Sequence, residues 1–160
     1  MQVRIEISKN SNLKYEFDEE KKALVLDRVL PNSNTFPYNY GYIPDTLAPD
    51  GDPVDIILIS SHQIIPGCLV DIKVIGGIET IDEHGQDDKI LCVLDSKVDK
   101  EYHHIDSYQD VPKQTIDQII YFLSHYKDND GKKFIKIGNI YGREEAEEFI
   151  KNHTNKKNEN

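Results

Sequence analysis

At 160 residues, 38% of them apolar and 30% charged, the chain is long enough for one domain with a proper core and too short for two comfortable ones. A formal net charge of −10 excludes duplex DNA or RNA as a general partner, because binding a phosphate backbone needs a basic face. It leaves small phosphate-bearing anions open, provided a local cationic patch or a bound metal meets them.

The opening "MQVRIEIS" lacks the charged-then-apolar pattern of a secretory signal, and no apolar run is long enough to cross a bilayer. A cytoplasmic protein without membrane contact is expected. "VRIEI" alternates, with Val3, Ile5 and Ile7 on one face. "LKYEF" and "ALVLDRV" flank "DEEKK" and read as a hairpin. "FPYNYGYIPDT" crowds Phe36, Tyr38, Tyr40 and Tyr42 together and reads as an aromatic loop over the core. "PVDIILIS", "CLVDIKVIG" and "DKILCVL" are further strands, punctuated by Pro49, Gly51, Pro66, Gly67, Gly76 and Gly77. Short strands at this spacing suggest a small barrel or sandwich. Cys68 and Cys92 both fall in strand-like sequence and are expected as buried free thiols, with no zinc-ligand spacing beside them.

The last third changes period. In "KQTIDQIIYFLSHYK", Ile116, Ile119, Ile120 and Leu123 share a helical face, and Pro112 suits the first turn. "REEAEEFIKNH" reads as a second helix, with Ala146, Phe149 and Ile150 as its apolar stripe and early glutamates at its N-terminus. One domain over residues 1–151 is expected, followed by a flexible tail over 152–160.

Two acidic loops carry the chemistry. In "PDGDPVDIILI", Asp50, Asp52 and Asp55 crowd the mouth of a strand, and Pro53 stiffens the loop. A solvated Asp-rich turn would be the ordinary reading. Asp55, however, is embedded in "VDIILI", where solvation is hard to arrange, which points to a divalent cation on hard oxygen ligands. An EF-hand does not match, since Val54 stands at a ligand position and Asp55 where the turn glycine belongs. The second loop, "IDEHGQDDK", holds Asp82, Glu83, Asp87, Asp88 and Lys89, and by itself reads as a polar hairpin. Two such loops, each leading into a strand, could converge at one end of a barrel. Lys14 and Glu16 point to one face of their strand, Arg28 ends the next, and Tyr126-Lys127 closes the long helix. Each of these, taken alone, is more often structural or solvated.

In combination they are not. The order Glu6, "KYE", Arg28, "FPYNYGYIPDT", "DGDPVD", "DEHGQDDK", "HYKD" resembles the soluble inorganic pyrophosphatases, family I, of prokaryotic type, over nearly the whole chain. "DGDPVD" fits that family's signature of aspartates around a proline. The resemblance implies a mainly β (α+β) fold, a five-stranded OB-like barrel with flanking C-terminal helices. It implies hydrolysis of pyrophosphate to two phosphates, with roughly two to four Mg²⁺ ions per active site. Carried over residue by residue, Asp50, Asp55 and Asp87 hold the tightest ion, and Asp55 bridges to a second. Asp82 with Asp87 holds a further ion, and Glu16 meets another through water. Asp52 is the general base. Lys14, Arg28, Tyr126 and Lys127 bind phosphate, supported by Tyr40 and Lys89. Glu6 and Glu83 are further active-site candidates. The implied assembly is a homohexamer built as a pair of trimers. Two positions depart from the family pattern: Phe36 stands where many members have Tyr, and Phe134 near the usual Trp.

A charge count supports a metal independently. Glu6, Glu16, Asp50, Asp52, Asp55, Asp82 and Asp87 outnumber Lys14, Arg28, Lys89 and Lys127 by three. Such a site repels a polyanion until metal ions reverse its sign. A rival reading, an OB-type binder of single-stranded nucleic acid, fits the aromatics but not the acidic loops. A Ca²⁺ module explains the aspartates but leaves Lys14, Arg28 and Lys127 idle.

Overall fold

The expected alternation of the first strand is present in the computed structural model, which describes residues 1–155. In β1 (Gln2–Ile7), Val3, Ile5 and Ile7 are buried, and so is Glu6. β2 (Leu13–Asp18) and β3 (Ala23–Val29) form the expected hairpin, but as a two-stranded sheet of their own. β4 (Asn39–Tyr42) lies within the aromatic stretch that reads as a loop. A strand fits there because Gly41 lets β1 approach: a Cβ at that position would sit 1.9 Å from the Arg4 carbonyl oxygen.

β5 (Asp55–Leu58), β6 (Leu69–Asp82), β7 (Gly85–Gln86) and β8 (Lys89–Leu94) complete the main sheet with β9 (Ile135–Gly142). Its order β1-β4-β5-β8-β6 closes through a β1–β6 pairing, making a five-stranded barrel. The fold is therefore the OB-like barrel the resemblance implies. All its pairings are antiparallel except β5 with β8. β8 is buried at every position, and alternate residues of β5 pack into two apolar clusters.

Gly76-Gly77 does not break the chain as expected. β6 runs through both, with a bulge against β8 between Val74 and Gly76. The glycines are needed because β9 crosses there: a Cβ on Gly77 would lie 2.4 Å from the Tyr141 ring. β9 has no counterpart among the predicted strands. It is half exposed and interrupted by Gly138-Asn139, which weakens its period.

α1 (Lys113–His125) buries Ile116, Ile119, Phe122 and Leu123 in one cluster, with Pro112 as its N-cap residue. α2 (Arg143–Asn152) buries Ala146 and Ile150 in the other, with Phe149 packed partly against it. Neither is long and apolar enough to cross a membrane. The boundary expected at 151/152 falls inside α2, and the chain beyond it is held to the loop before β5. Thr154 bridges Thr46, and the Asn155 N–H donates to the Asp45 carbonyl. The rest of the expected tail, 156–160, lies outside the described residues. Cys92 is buried, but Cys68 is exposed, since it sits in the turn before β6 rather than within a strand.

Candidate active site

The parallel pairing of β5 and β8 builds the site. Because both strands start at the same edge of the barrel, the loops feeding them open side by side, and Asp55 stands in register with Lys89. β4 runs antiparallel to β5 and brings Tyr42 opposite Asp55 and Tyr40 opposite Ile57. The hairpin β2–β3 and the C-terminal end of α1 close the sides. The result is a cavity of about 370 Å³, lined by all fourteen residues singled out from the sequence.

Asp50, Asp82 and Asp87 place carboxylate oxygens within 4.8 Å of one another. Asp55, assigned by the resemblance to the same ion as Asp50 and Asp87, accepts from the Tyr40 hydroxyl and the Lys89 ammonium, each at 2.6 Å. Lys89 also reaches Asp87 at 2.6 Å, so one cation stands between the two carboxylates. Burial pushes the Asp87 carboxyl up to about 8; Lys89 opposes this, while the Asp55 charge adds to it. Burial, then Asp50 and Asp55, raises Asp52 as well. Glu6 is pushed up to about 8, mainly by burial, while its Oε2 accepts the Phe17 N–H at 2.7 Å. These shifts arise first from burial, with neighbouring carboxylates adding to it. The donors are all hard oxygens, which suits a cation of the Mg²⁺ or Ca²⁺ kind and not a soft one. Among the described residues a second group, His62, Asp99 and Glu101, has similar spacing but lies outside the cavity.

The cations face the carboxylates across the cavity. Lys127 reaches Asp82 and Glu83, each at 3.4 Å. Lys14 is bound by Glu16 at 2.7 Å and Asp27 at 3.0 Å. Arg28 is paired with Asp27 and Asp130. Lys89 is 1% exposed. Burial opposes its charge, but Asp55, Tyr40 and Asp87 more than offset this and hold its pKa well above the ordinary value. Burial raises the Tyr40 and Tyr126 hydroxyls, so both remain proton donors at neutral pH.

A family model for inorganic pyrophosphatase matches residues 3–158. The chain belongs to the inorganic pyrophosphatase family. It is 40% identical over 149 residues to the inorganic pyrophosphatase of Saccharolobus solfataricus, covering 93% of this chain and 87% of that protein. It is 41% identical over 150 residues to that of Rickettsia typhi, covering 93% and 84%. The solved inorganic pyrophosphatase of Helicobacter pylori superposes with a TM-score of 0.94 at 37% identity, over 96% of this chain and 90% of that one.

Several residues of this pyrophosphatase cavity escape a reading of the sequence. Asp27 and Lys133 line it beside the predicted set, and Asp130 stands behind it as a partner of Arg28. Asp27 sits next to Arg28 in a strand, and its only local signal is an acidic residue in an otherwise apolar run. Asp130 and Lys133 come from the turn after α1, where charged residues are ordinary. Phe36 does not line the cavity. It is 2% exposed and packs 5.4 Å from the Tyr40 ring and 6.0 Å from Tyr126, so it props both phenols from behind.

Proposed function

We propose that this chain hydrolyses inorganic pyrophosphate to two phosphates, using Mg²⁺, by direct attack of water on phosphorus without a covalent intermediate. The observation that carries this is the meeting of both acidic loops with Lys14, Arg28, Lys89 and Lys127 in one cavity. Family membership supports the substrate.

Asp50, Asp55 and Asp87 would hold the tightest ion, Asp55 would also serve a second, Asp82 and Asp87 would serve a further one, and Glu16 would act through water. A cation held by these carboxylates would supply positive charge against the substrate's phosphates and would lower the pKa of the attacking water. Asp52, on the exposed edge of its loop, accepts the proton from the attacking water. Its raised pKa makes it a better base than an ordinary aspartate. The water oxygen bonds to one phosphorus as the bridging P–O bond breaks, and the proton leaves on phosphate. Lys14, Arg28 and Lys127 give up carboxylate partners to grip the phosphoryl oxygens and take up the charge that develops on the leaving group. Tyr126 binds phosphate with them, and Tyr40 and Lys89 orient Asp55 by hydrogen bonds. Glu6 and Glu83 shape the wall, Glu83 by holding Lys127.

Phosphate release from pyrophosphate, with Mg²⁺ and again in excess EDTA, tests the reading. Fast release that stops in EDTA is expected. A folded sample that releases no phosphate with Mg²⁺ would sink it. The reading includes a cytoplasmic homohexamer, a pair of trimers. The solvent-facing Tyr121 and His125 rings on α1, tilted against each other with centroids 4.3 Å apart, suit a subunit contact. A light-scattering mass of a single chain would overturn that part.

A further inference from the structure

Lys14, Glu16 and Arg28 all ride on the hairpin β2–β3, which forms a sheet of its own. An isolated two-stranded hairpin is marginal in water, and β3 here is largely exposed. Side chains must therefore seat it on the barrel.

Besides the Arg28–Asp130 pair, the contacts that seat β2 on the barrel meet at one point. Arg4 lies two residues before Glu6 on β1, so both side chains leave the strand on the same face. Glu6 accepts the Phe17 N–H, and the Arg4 guanidinium lies 4.0 Å from the centroid of the Phe17 ring. One Arg4 nitrogen donates to the Gly67 carbonyl at 2.9 Å, which anchors its outer end. Its Nε is buried without an acceptor. The guanidinium is thus committed to the ring rather than to an acceptor at Nε. Tyr42 is the cross-strand partner of Arg4 in the β1–β4 pairing, and its hydroxyl donates to Glu19 at 2.5 Å, just beyond the hairpin's β2 strand.

We propose that Arg4, Phe17, Tyr42 and Glu19 form a latch that sets the position of the hairpin, and through it where Lys14 and Arg28 meet pyrophosphate. All four are positioning residues and act through those two cations. The proposal rests on the reading that Lys14 and Arg28 bind phosphate. A displacement of about 1 Å in such groups is enough to weaken binding severalfold or more. Cations that hold substrate and transition state alike change KM more than kcat when misplaced.

The test compares Phe17→Leu, which removes the ring at similar volume, with Phe17→Tyr, which keeps it, and uses Arg28→Ala as reference. Phe17 is part-exposed, so neither change opens the core. Phe17→Leu is expected to raise KM for pyrophosphate about ten-fold with kcat within about three-fold, and Phe17→Tyr to restore KM to within about two-fold. In the substrate-free protein, amides of residues 13–18 should exchange about ten-fold faster in Phe17→Leu, with β8 amides unchanged. If Arg28→Ala raises KM and Phe17→Leu does not, the latch is overturned. The same follows if hairpin exchange is unaltered. If Arg28→Ala leaves KM where it was, the phosphate-binding reading fails and the positioning role falls with it. Faster exchange in Phe17→Leu would then report a tether alone.

Discussion

Asp52→Asn is expected to lower turnover about 10²- to 10³-fold while leaving KM and Mg²⁺ affinity near their starting values. The asymmetry follows from geometry. Asp52 lies outside the group formed by Asp50, Asp82 and Asp87, whose carboxylate oxygens converge within 4.8 Å. Its backbone N–H caps Asp50 at 3.1 Å and its carbonyl accepts from Ala48 at 2.7 Å, so the loop's shape depends on its main chain and not on its carboxyl. Asparagine preserves both contacts and removes only the ability to take a proton. Its amide is also the same size, so stability should hardly move. Steady-state phosphate release together with a Mg²⁺ titration separates the two effects. Near-normal turnover would remove Asp52 from the role of base, and a matching loss of metal affinity would make it a ligand instead.

Lys89→Met is expected to produce the largest change in stability, and one that depends on metal. Lys89 is almost fully buried and its ammonium is shared between Asp55 and Asp87. Methionine fills most of the volume but leaves two enclosed carboxylates without a cation. Breaking a buried ion pair from one side costs about 3–5 kcal/mol. For a domain of this size that lowers Tm by about 10 °C in EDTA. Mg²⁺ offers the same carboxylates a replacement charge, so the gap between variant and parent should narrow when the metal is added. Thermal melts of both proteins in EDTA and in Mg²⁺ decide the point. An unchanged Tm in EDTA would mean that the lysine charge does not hold the carboxylates together. A gap that Mg²⁺ fails to narrow would mean that the metal does not reach Asp55 and Asp87.

Much of this protein is legible in its sequence, for a local reason. Strand alternation in "VRIEI", the hairpin around "DEEKK" and the 3.6-residue period of the "KQTIDQIIYFLSH" helix depend on neighbours along the chain. So does the strain of placing Asp55 inside an apolar strand, which calls for a positive charge before any fold is known. What the sequence could not decide concerns partners far apart. Barrel closure through β1 and β6 joins residues about seventy positions apart. β4 and the run through Gly76-Gly77 look like loop and break because their glycines serve crossing strands, Arg4 in one case and Tyr141 in the other. Cys68 reads as a strand residue, and only the turn before β6 turns it outward. The parallel pairing of β5 with β8, which brings the two acidic loops to one end, has no local signal at all. Nor does the choice of Tyr40 and Lys89 as the immediate partners of Asp55, because hydrogen-bond partners are selected by packing across the barrel. The sequence thus determined which groups must gather and that they need a cation. Tertiary structure decided which of them touch, because contact between strands depends on register and closure, and neither is written in any short stretch of chain.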